Sequence, residues 1–310
     1  MAIPPRVSIN PAAGQGACGK AWPDIEAGLR SALGNIDTNV TAHSGDETNL
    51  ARKGIAEGAE HFIAVGGDGT MNGVLNGIMG DGIPENDQVR LSVIPVGTAN
   101  EMARAIGFHG DPMGAIQSIT SGRVQHFDLL QAECVGLDGL SRRHYGVLAI
   151  SWGGAAEIVY RTNNSRFLKR LGGRFSYYAN TLILTLTYPM QNLDLTVDGQ
   201  KIKNQVYYSG LICNLEILGG GMRLAPGADH TDGVANFLFF KDIPRREIIF
   251  QKPSWLFDGN HVDHDKVDYF PGRVFEVESD VDALVDADGE TIGRLPLKVR
   301  THKQVLKGVG

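Results

Sequence analysis

Residues 61–79 run His61-Phe62-Ile63-Ala64-Val65-Gly66-Gly67-Asp68-Gly69-Thr70-Met71-Asn72-Gly73-Val74-Leu75-Asn76-Gly77-Ile78-Met79, and they read as strand, glycine turn and helix. His61 to Val65 is a short apolar run of the kind a buried strand shows. Gly66, Gly67 and Gly69 then break it. Glycine tolerates positive φ and lets another group approach the backbone closely. The Thr70 hydroxyl suits a helix cap. Met71, Val74, Leu75 and Ile78 follow at i, i+3, i+4 and i+7, one apolar helical face. A glycine turn that opens a helix presents unpaired N–H groups and the positive end of the helix dipole, which is an anion site, usually for phosphate. Asp68 is the one charged side chain in the turn. A carboxylate beside phosphates repels them, so it suggests a bridging Mg²⁺. The bland alternative is an ordinary strand-to-helix turn of an α/β domain.

Working outward, 6–9 reads as a strand ended by Asn10-Pro11-Ala12-Ala13-Gly14. The following GQGACGKA contains two weak look-alikes. Gly14, Gly16 and Gly19 match G-x-G-x-x-G, but an acid is expected at the end of the next strand, and Asp37 precedes it. Gly14, Gly19 and Lys20 match the start of a Walker loop, but Ala21 stands where Ser or Thr would ligate Mg²⁺. Residues 15–20 therefore read as a loop. Residues 22–33 read as a helix, 39–42 as a strand and 47–58 as a helix. Alternation continues through 61–79 and the strand 90–94. This order predicts a parallel sheet with helices on both faces. Ile94-Pro95-Val96-Gly97-Thr98-Ala99-Asn100 is a second strand–glycine turn–helix junction, with Asn100 a candidate cap for a helix over 101–106. Two such turns at the carboxyl ends of neighbouring parallel strands face one crevice. Thr98 is placed to donate to a nucleotide, or else is a turn hydroxyl. After Arg123 the chain turns strand-rich: HYGVLAISW, LDLTV, NQVYYSGLIC and VANFLFF. Asp198-Gly199 between two such runs is a hairpin signal. Helices are expected at 175–185 and 245–256.

GGDGTMN (66–72), IPVGTANEMAR (94–104) and NPAAG (10–14) together resemble the diacylglycerol kinase catalytic family, which includes bacterial lipid kinases and sphingosine and ceramide kinases. NAD kinases also carry GGDGT, but continue with an N-x-G-x-L-G-F-type loop where this chain has IPVGTANEMARAIG. The resemblance implies an N-terminal α/β nucleotide-binding domain over 1–123, a β-sandwich-like lipid-substrate domain over 124–294, and a tail from about 295 to 310 returning to the first. It implies ATP as co-substrate, with Asn10, Pro11, Ala12, Ala13 and Gly14 as a second phosphate cradle beside Gly66, Gly67, Asp68, Gly69, Thr70, Met71 and Asn72. It places Thr41 against the nucleotide, although a capping or turn hydroxyl is the plain reading of that residue. It assigns a structural Mg²⁺ to the segment 219–233, and there we expect the Asp232 carboxylate with backbone carbonyls of Asp229 and Val234. It makes the DGE of Val285-Asp286-Ala287-Asp288-Gly289-Glu290 a supplier of catalytic acids. We take Glu290 first and Asp288 second as base, with Asp68 serving Mg²⁺. Asp288-Gly289 is also a hairpin signal. The family more often has Asp where this chain has Glu101. Asp128 is read either as an aid to the metal or acceptor, or as a structural hydrogen-bond acceptor.

Composition bounds the partners. A formal net charge of −6 and a pI near 5.8 argue against a nucleic-acid footprint. Cys18, Cys134 and Cys213 are far apart and suggest neither zinc nor a disulfide framework. The N-terminus lacks a signal-peptide core, and no apolar run reaches membrane-spanning length. The expected setting is the cytoplasm, with peripheral contact at the inner face of a membrane and a membrane lipid as acceptor; a homodimer stays open. Arg161, Arg166, Lys169, Arg170 and Arg174 form a basic cluster that either meets headgroups or is a solvated face. Diacylglycerol, ceramide or a sphingoid base, phosphatidylglycerol and an isoprenoid alcohol all remain open as acceptors. The competing readings are a NAD kinase-like enzyme with a soluble acceptor and a non-catalytic nucleotide or lipid sensor.

Overall fold

The computed structural model describes residues 3–43, 45–80, 82–97, 100–105, 111–164, 187–244, 247, 255–279 and 281–309. It divides into one unit of Met1–Phe127 with Gln304–Gly310 and a second of Asp128–Lys303. Pattern change put the first junction at 123/124, and the family resemblance put the second at about 294/295. The structure moves them because both fall inside continuous strands, β5 (Val124–Val135) and β15 (Glu290–Val309).

The first unit is built on four parallel strands: β1 (Arg6–Ile9), β2 (Asp37–Val40), β3 (His61–Gly66) and β4 (Arg90–Pro95). Their order is β4-β3-β1-β2. β1 lies between its partners, with Ile9 opposite Val65 on one side and Val40 on the other. The chain steps one way from β1 to β2 and then back across to β3. Right-handed crossovers therefore place α1 (Ala17–Leu33) and α2 (Asp46–Ala56) on opposite faces. α1 starts earlier than the sequence suggested. Residues 13–16 form a 3₁₀ turn with Gly14 and Gln15 near φ +59° and +58°, and the helix begins at Ala17. Its core face is Cys18, Ile25 and Leu29. α3 (Asp68–Met79) packs on α2 through Gly77, where a Cβ would lie 2.6 Å from that of Ala51. The end of β15 is pinned here too. His61 Nε2 lies 2.9 Å from Ser92 Oγ, and Ser92 Oγ donates to the Val309 carbonyl at 2.9 Å.

The second unit has two rows of antiparallel strands that share β15. One row runs β12 (Val267–Gly272), β11 (Ala235–Phe240), β10 (Ser209–Cys213), β7 (Ala149–Gly153), β14 (Leu284–Ala287) and β15. The other carries β9 (Gln200–Tyr207), β8 (Gln191–Val197) and β13 (Val274–Glu278) to β15, which also pairs β5, followed by β6 (Ser141–Gly146). β15 pairs β14 through Glu290–Arg294 and β13 through Leu297–Arg300, so one strand serves both rows. Trp152, Ile212 and Phe237 from one row and Leu195, Phe275 and Val277 from the other share one buried cluster, which makes the unit a sandwich. The expected Asp198-Gly199 turn is present, with φ of +47° and +84° joining β8 to β9. The HYGVLAISW run breaks at Val147-Leu148 into β6 and β7. Expected helices 175–185 and most of 245–256 lie outside the described residues. Among the described residues no helix is long and apolar enough to cross a membrane.

Candidate functional site

Three turns meet at the carboxyl ends of β1, β3 and β4, where the strand order reverses direction. The turn 10–14 is tied to β3 by Asn10 N–H donating to Val65 O at 3.0 Å. β3 is tied to the third turn by Val96 N–H donating to Gly66 O at 2.8 Å. A Cβ on Gly14 would lie 2.6 Å from Val96 O, and one on Gly97 would lie 2.5 Å from the Gly67 Cα. Glycine is required at both places by backbone passing against backbone, and at Gly14 by its positive φ as well. At the start of α3 the N–H groups of Asp68, Gly69 and Thr70 precede the first intrahelical bond, which Met71 N–H makes to Gly67 O at 3.2 Å. These three donors and the dipole of a twelve-residue helix aim at one place.

Several side chains differ from their expected roles. Gly67, in extended conformation, is the N-cap of α3, and Thr70 is buried at 3% exposure, folded against Gly66 rather than capping. In the 10–14 turn, Ala12 N–H is taken by Asn10 Oδ1 and Ala13 N–H by Asn10 O. Those two amides are therefore spent within the turn. Asn100 does not cap α4 (Glu101–Ala105): its Oδ1 accepts from Gly97 N–H at 2.9 Å and its Nδ2 returns to Gly97 O. Asp68 does the capping instead, its Oδ1 accepting from Met102 N–H at 3.1 Å, which leaves Oδ2 for a ligand. Thr41 is buried and its hydroxyl donates to Ile9 O at 3.2 Å, the turn-hydroxyl role. Thr98 lies outside the described residues. Glu101 opens α4, 3.8 Å from Arg104. Glu47 went unnoticed in the sequence. It sits in the first turn of α2, 8% exposed, with its side chain over Gly73 of α3. The signal was the pairing of a glycine in one helix with an acid in the other.

The acid cluster of the second unit is divided. Asp288 and Gly289, at φ +51° and +89°, form the expected two-residue turn from β14 to β15. The Asp288 carboxylate accepts three backbone N–H bonds, from Val147 at 2.7 Å, Leu148 at 2.8 Å and Ala149 at 3.0 Å. It therefore holds the break between β6 and β7. Asp286 is buried, with Ser151 Oγ donating to Oδ1 at 3.3 Å and Oδ2 making no hydrogen bond. Burial, and then the charge of Asp288, push its pKa well above the usual carboxylate range. Glu290 is exposed. The Asp128 carboxylate is fully buried and accepts from Gly233 N–H at 2.5 Å. Of the basic cluster, Arg161 pairs with Glu157 at 2.7 Å, and the other four residues lie outside the described set.

Around the expected structural metal, Asp232 Oδ1 accepts from Val234 N–H at 2.8 Å, and the Asp229 carbonyl receives only a long 3.4 Å bond. The Thr231 hydroxyl holds the Asp229 carboxyl below the usual range. A carbonyl with spare capacity and the second Asp232 oxygen are hard donors of the kind Mg²⁺ takes. This would not be a cage of acidic side chains: no group of three or more His, Cys, Asp or Glu arranged for a metal occurs among the described residues.

A parallel α/β unit whose glycine turns meet at a helix N-terminus, followed by a β-sandwich, is the architecture of a phosphate-handling enzyme such as a kinase. Residues 4–132 match the diacylglycerol kinase catalytic domain, and residues 148–309 match the YegS C-terminal NAD kinase beta sandwich-like domain. The chain belongs to the diacylglycerol kinase catalytic family and is a lipid kinase. A diacylglycerol kinase of Staphylococcus aureus is 28% identical over 295 residues, covering 94% of this chain and 87% of the relative. A solved structure described as diacylglycerol kinases from Bacillus anthracis shares the fold at a TM-score of 0.70 and 20% identity, covering 99% of this chain and 96% of that one. An NAD kinase from Archaeoglobus fulgidus in complex with ATP shares it at 0.52 and 14%, covering 98% and 93%.

Proposed function

We propose that this lipid kinase transfers the γ-phosphate of ATP to a hydroxyl of a membrane lipid, with diacylglycerol as the leading acceptor. The convergence of the three turns supports the nucleotide part, because backbone contacts at Gly14–Val96 and Gly67–Gly97 bring them together at the N-terminus of α3, whose first N–H groups suit an anion. The NAD kinase relative in complex with ATP supports that choice of nucleotide, and the Staphylococcus aureus relative supports the acceptor.

Phosphoryl transfer needs positioning and charge neutralisation more than covalent help. The start of α3 positions the phosphates. Asp68 Oδ2 is an oxygen donor at that helix start and fits Mg²⁺, which when bound neutralises phosphate charge. A second Mg²⁺ at Asp229, Asp232 and Val234 would be structural. Glu290 takes the acceptor proton in this reading. Asp288, its carboxylate committed to three amides, holds the loop Val147–Ala149. Glycerol- and sphingoid-type acceptors both present hydroxyls that this chemistry serves. Labelled ATP with total membrane lipid, the product identified by mass spectrometry, tests the proposal. Phosphorylation of NAD rather than any lipid would overturn it.

A further inference from the structure

The second unit carries a cavity of about 370 Å³ with Leu137, Tyr160 and Val281 in its lining. These side chains are 58%, 40% and 37% exposed. Next to Leu137 on the same hairpin tip, between β5 and β6, stands Leu140 at 63%. The tip is organised. Gly136 N–H donates to Leu140 O at 2.7 Å, Gly139 N–H donates to Gly136 O at 2.8 Å, and Asp138 Oδ1 takes Leu140 N–H at 3.1 Å. The two leucines are thus held in water by a tied turn. An apolar cluster held out in this way marks an interaction surface.

The charges around it select the partner. Arg142 pairs with Asp138, Arg143 with Glu133, Arg161 with Glu157 and Arg294 with Asp282. Among the described residues, these four basic side chains about the tip and cavity are each matched by an acid. The surface therefore complements the neutral, apolar interior of a bilayer rather than an anionic headgroup layer. We propose that the β5–β6 hairpin tip inserts Leu137 and Leu140 into the lipid bilayer and brings the cavity mouth against it. The inference rests on the lipid-kinase class, since the acceptor itself resides in the bilayer.

The test is flotation of the full chain with phosphatidylcholine vesicles, with and without an anionic lipid, at about 0.1 M and about 0.5 M salt. Burying one leucine is worth roughly tenfold or more in partitioning. Leu140→Ser should weaken vesicle binding about tenfold and Leu137→Ser/Leu140→Ser about a hundredfold, equally on both vesicle types. Wild-type binding should hardly respond to salt. Turnover of a soluble short-chain diacylglycerol should be unchanged in Leu140→Ser, and its melting curve should match wild type, because the residue is exposed. Wild-type-like flotation of the double variant would overturn the proposal, as would wild-type binding that requires anionic lipid and collapses in salt. A wild-type protein that floats through these leucines yet phosphorylates no lipid, soluble or membranous, would instead sink the kinase reading and leave the surface standing.

Discussion

Asp68 has one observed role, as acceptor for Met102 N–H, and one proposed role at the phosphates, and one pair of variants can separate them. Its Oδ1 accepts from Met102 N–H at 3.1 Å, and Met102 and Ala103 are 2% and 1% exposed. The bond is part-buried, so its loss removes an acceptor that water replaces only incompletely. Asp68→Ala should then cost about 1 kcal/mol, the usual worth of a cap, or a fall of about 3 °C in Tm. Asp68→Asn retains a carbonyl oxygen for Met102 and should keep the wild-type Tm within about a degree. What Asn removes is the charge beside the phosphate cradle. Both variants should lose roughly 10²–10³-fold in kcat, the range seen when one preorganised electrostatic group is deleted. The measurements are differential scanning calorimetry and steady-state turnover on a soluble lipid. Wild-type turnover in Asp68→Asn, with loss only in Asp68→Ala, would show that Asp68 is a helix cap and nothing more.

Glu290→Gln should cut kcat by roughly 10²–10⁴-fold without moving Tm. Asp288→Asn should lower Tm, because an amide offers one acceptor oxygen to the three N–H donors of Val147, Leu148 and Ala149; calorimetry and turnover on both variants would expose a reversed pattern. If Asp232 holds a structural Mg²⁺, EDTA should lower the Tm of the wild type and leave Asp232→Ala, already lowered, unmoved. His61 is held down to about 4 by burial and then by the charge of Arg90. Its folded pKa lies below the ordinary 6.5, so the unfolded chain takes up the proton first, and stability is full above about pH 6.5 and falls towards pH 4. The full loss is about 3 kcal/mol; urea unfolding at several pH values should show this slope in wild type and a shallower one in His61→Gln.

The fold was legible where local chemistry and periodicity agreed. The run 61–79 announced β3 and α3 within a residue or two, because burial on every side leaves a continuous apolar strand and a one-sided helix. The two Asp-Gly turns were legible because a two-residue hairpin needs positive φ at both positions. Other details depended on partners far along the chain. Thr70 looked like a cap only because Gly67 makes no side-chain signal. α1 began early because the left-handed turn 14–16 closes against Val96, some eighty residues away. β5 and β15 change surroundings without changing pattern, so no sequence signal marks where the chain passes from one unit to the other.

The acids at 286–290 show where sequence reasoning about a site stops. The family resemblance made this segment a supplier of catalytic acids. The structure uses two of them for packing after all. Asp286 is buried opposite Ser151, and Asp288 turns its oxygens to three amides about 140 residues earlier. No spacing rule reaches that far, since which amides face a hairpin turn is decided by how β7 lies against β14. What the pattern did convey was geometry. Side chains alternate along a strand, so Leu284 and Asp286 share one face while Val285 and Ala287 enter the core. The turn then resets that alternation, and Glu290 emerges exposed beyond it. Its exposure, against the burial of Asp286 and the three amides held by Asp288, is the ground on which the proposed reading puts Glu290 first for the proton transfer.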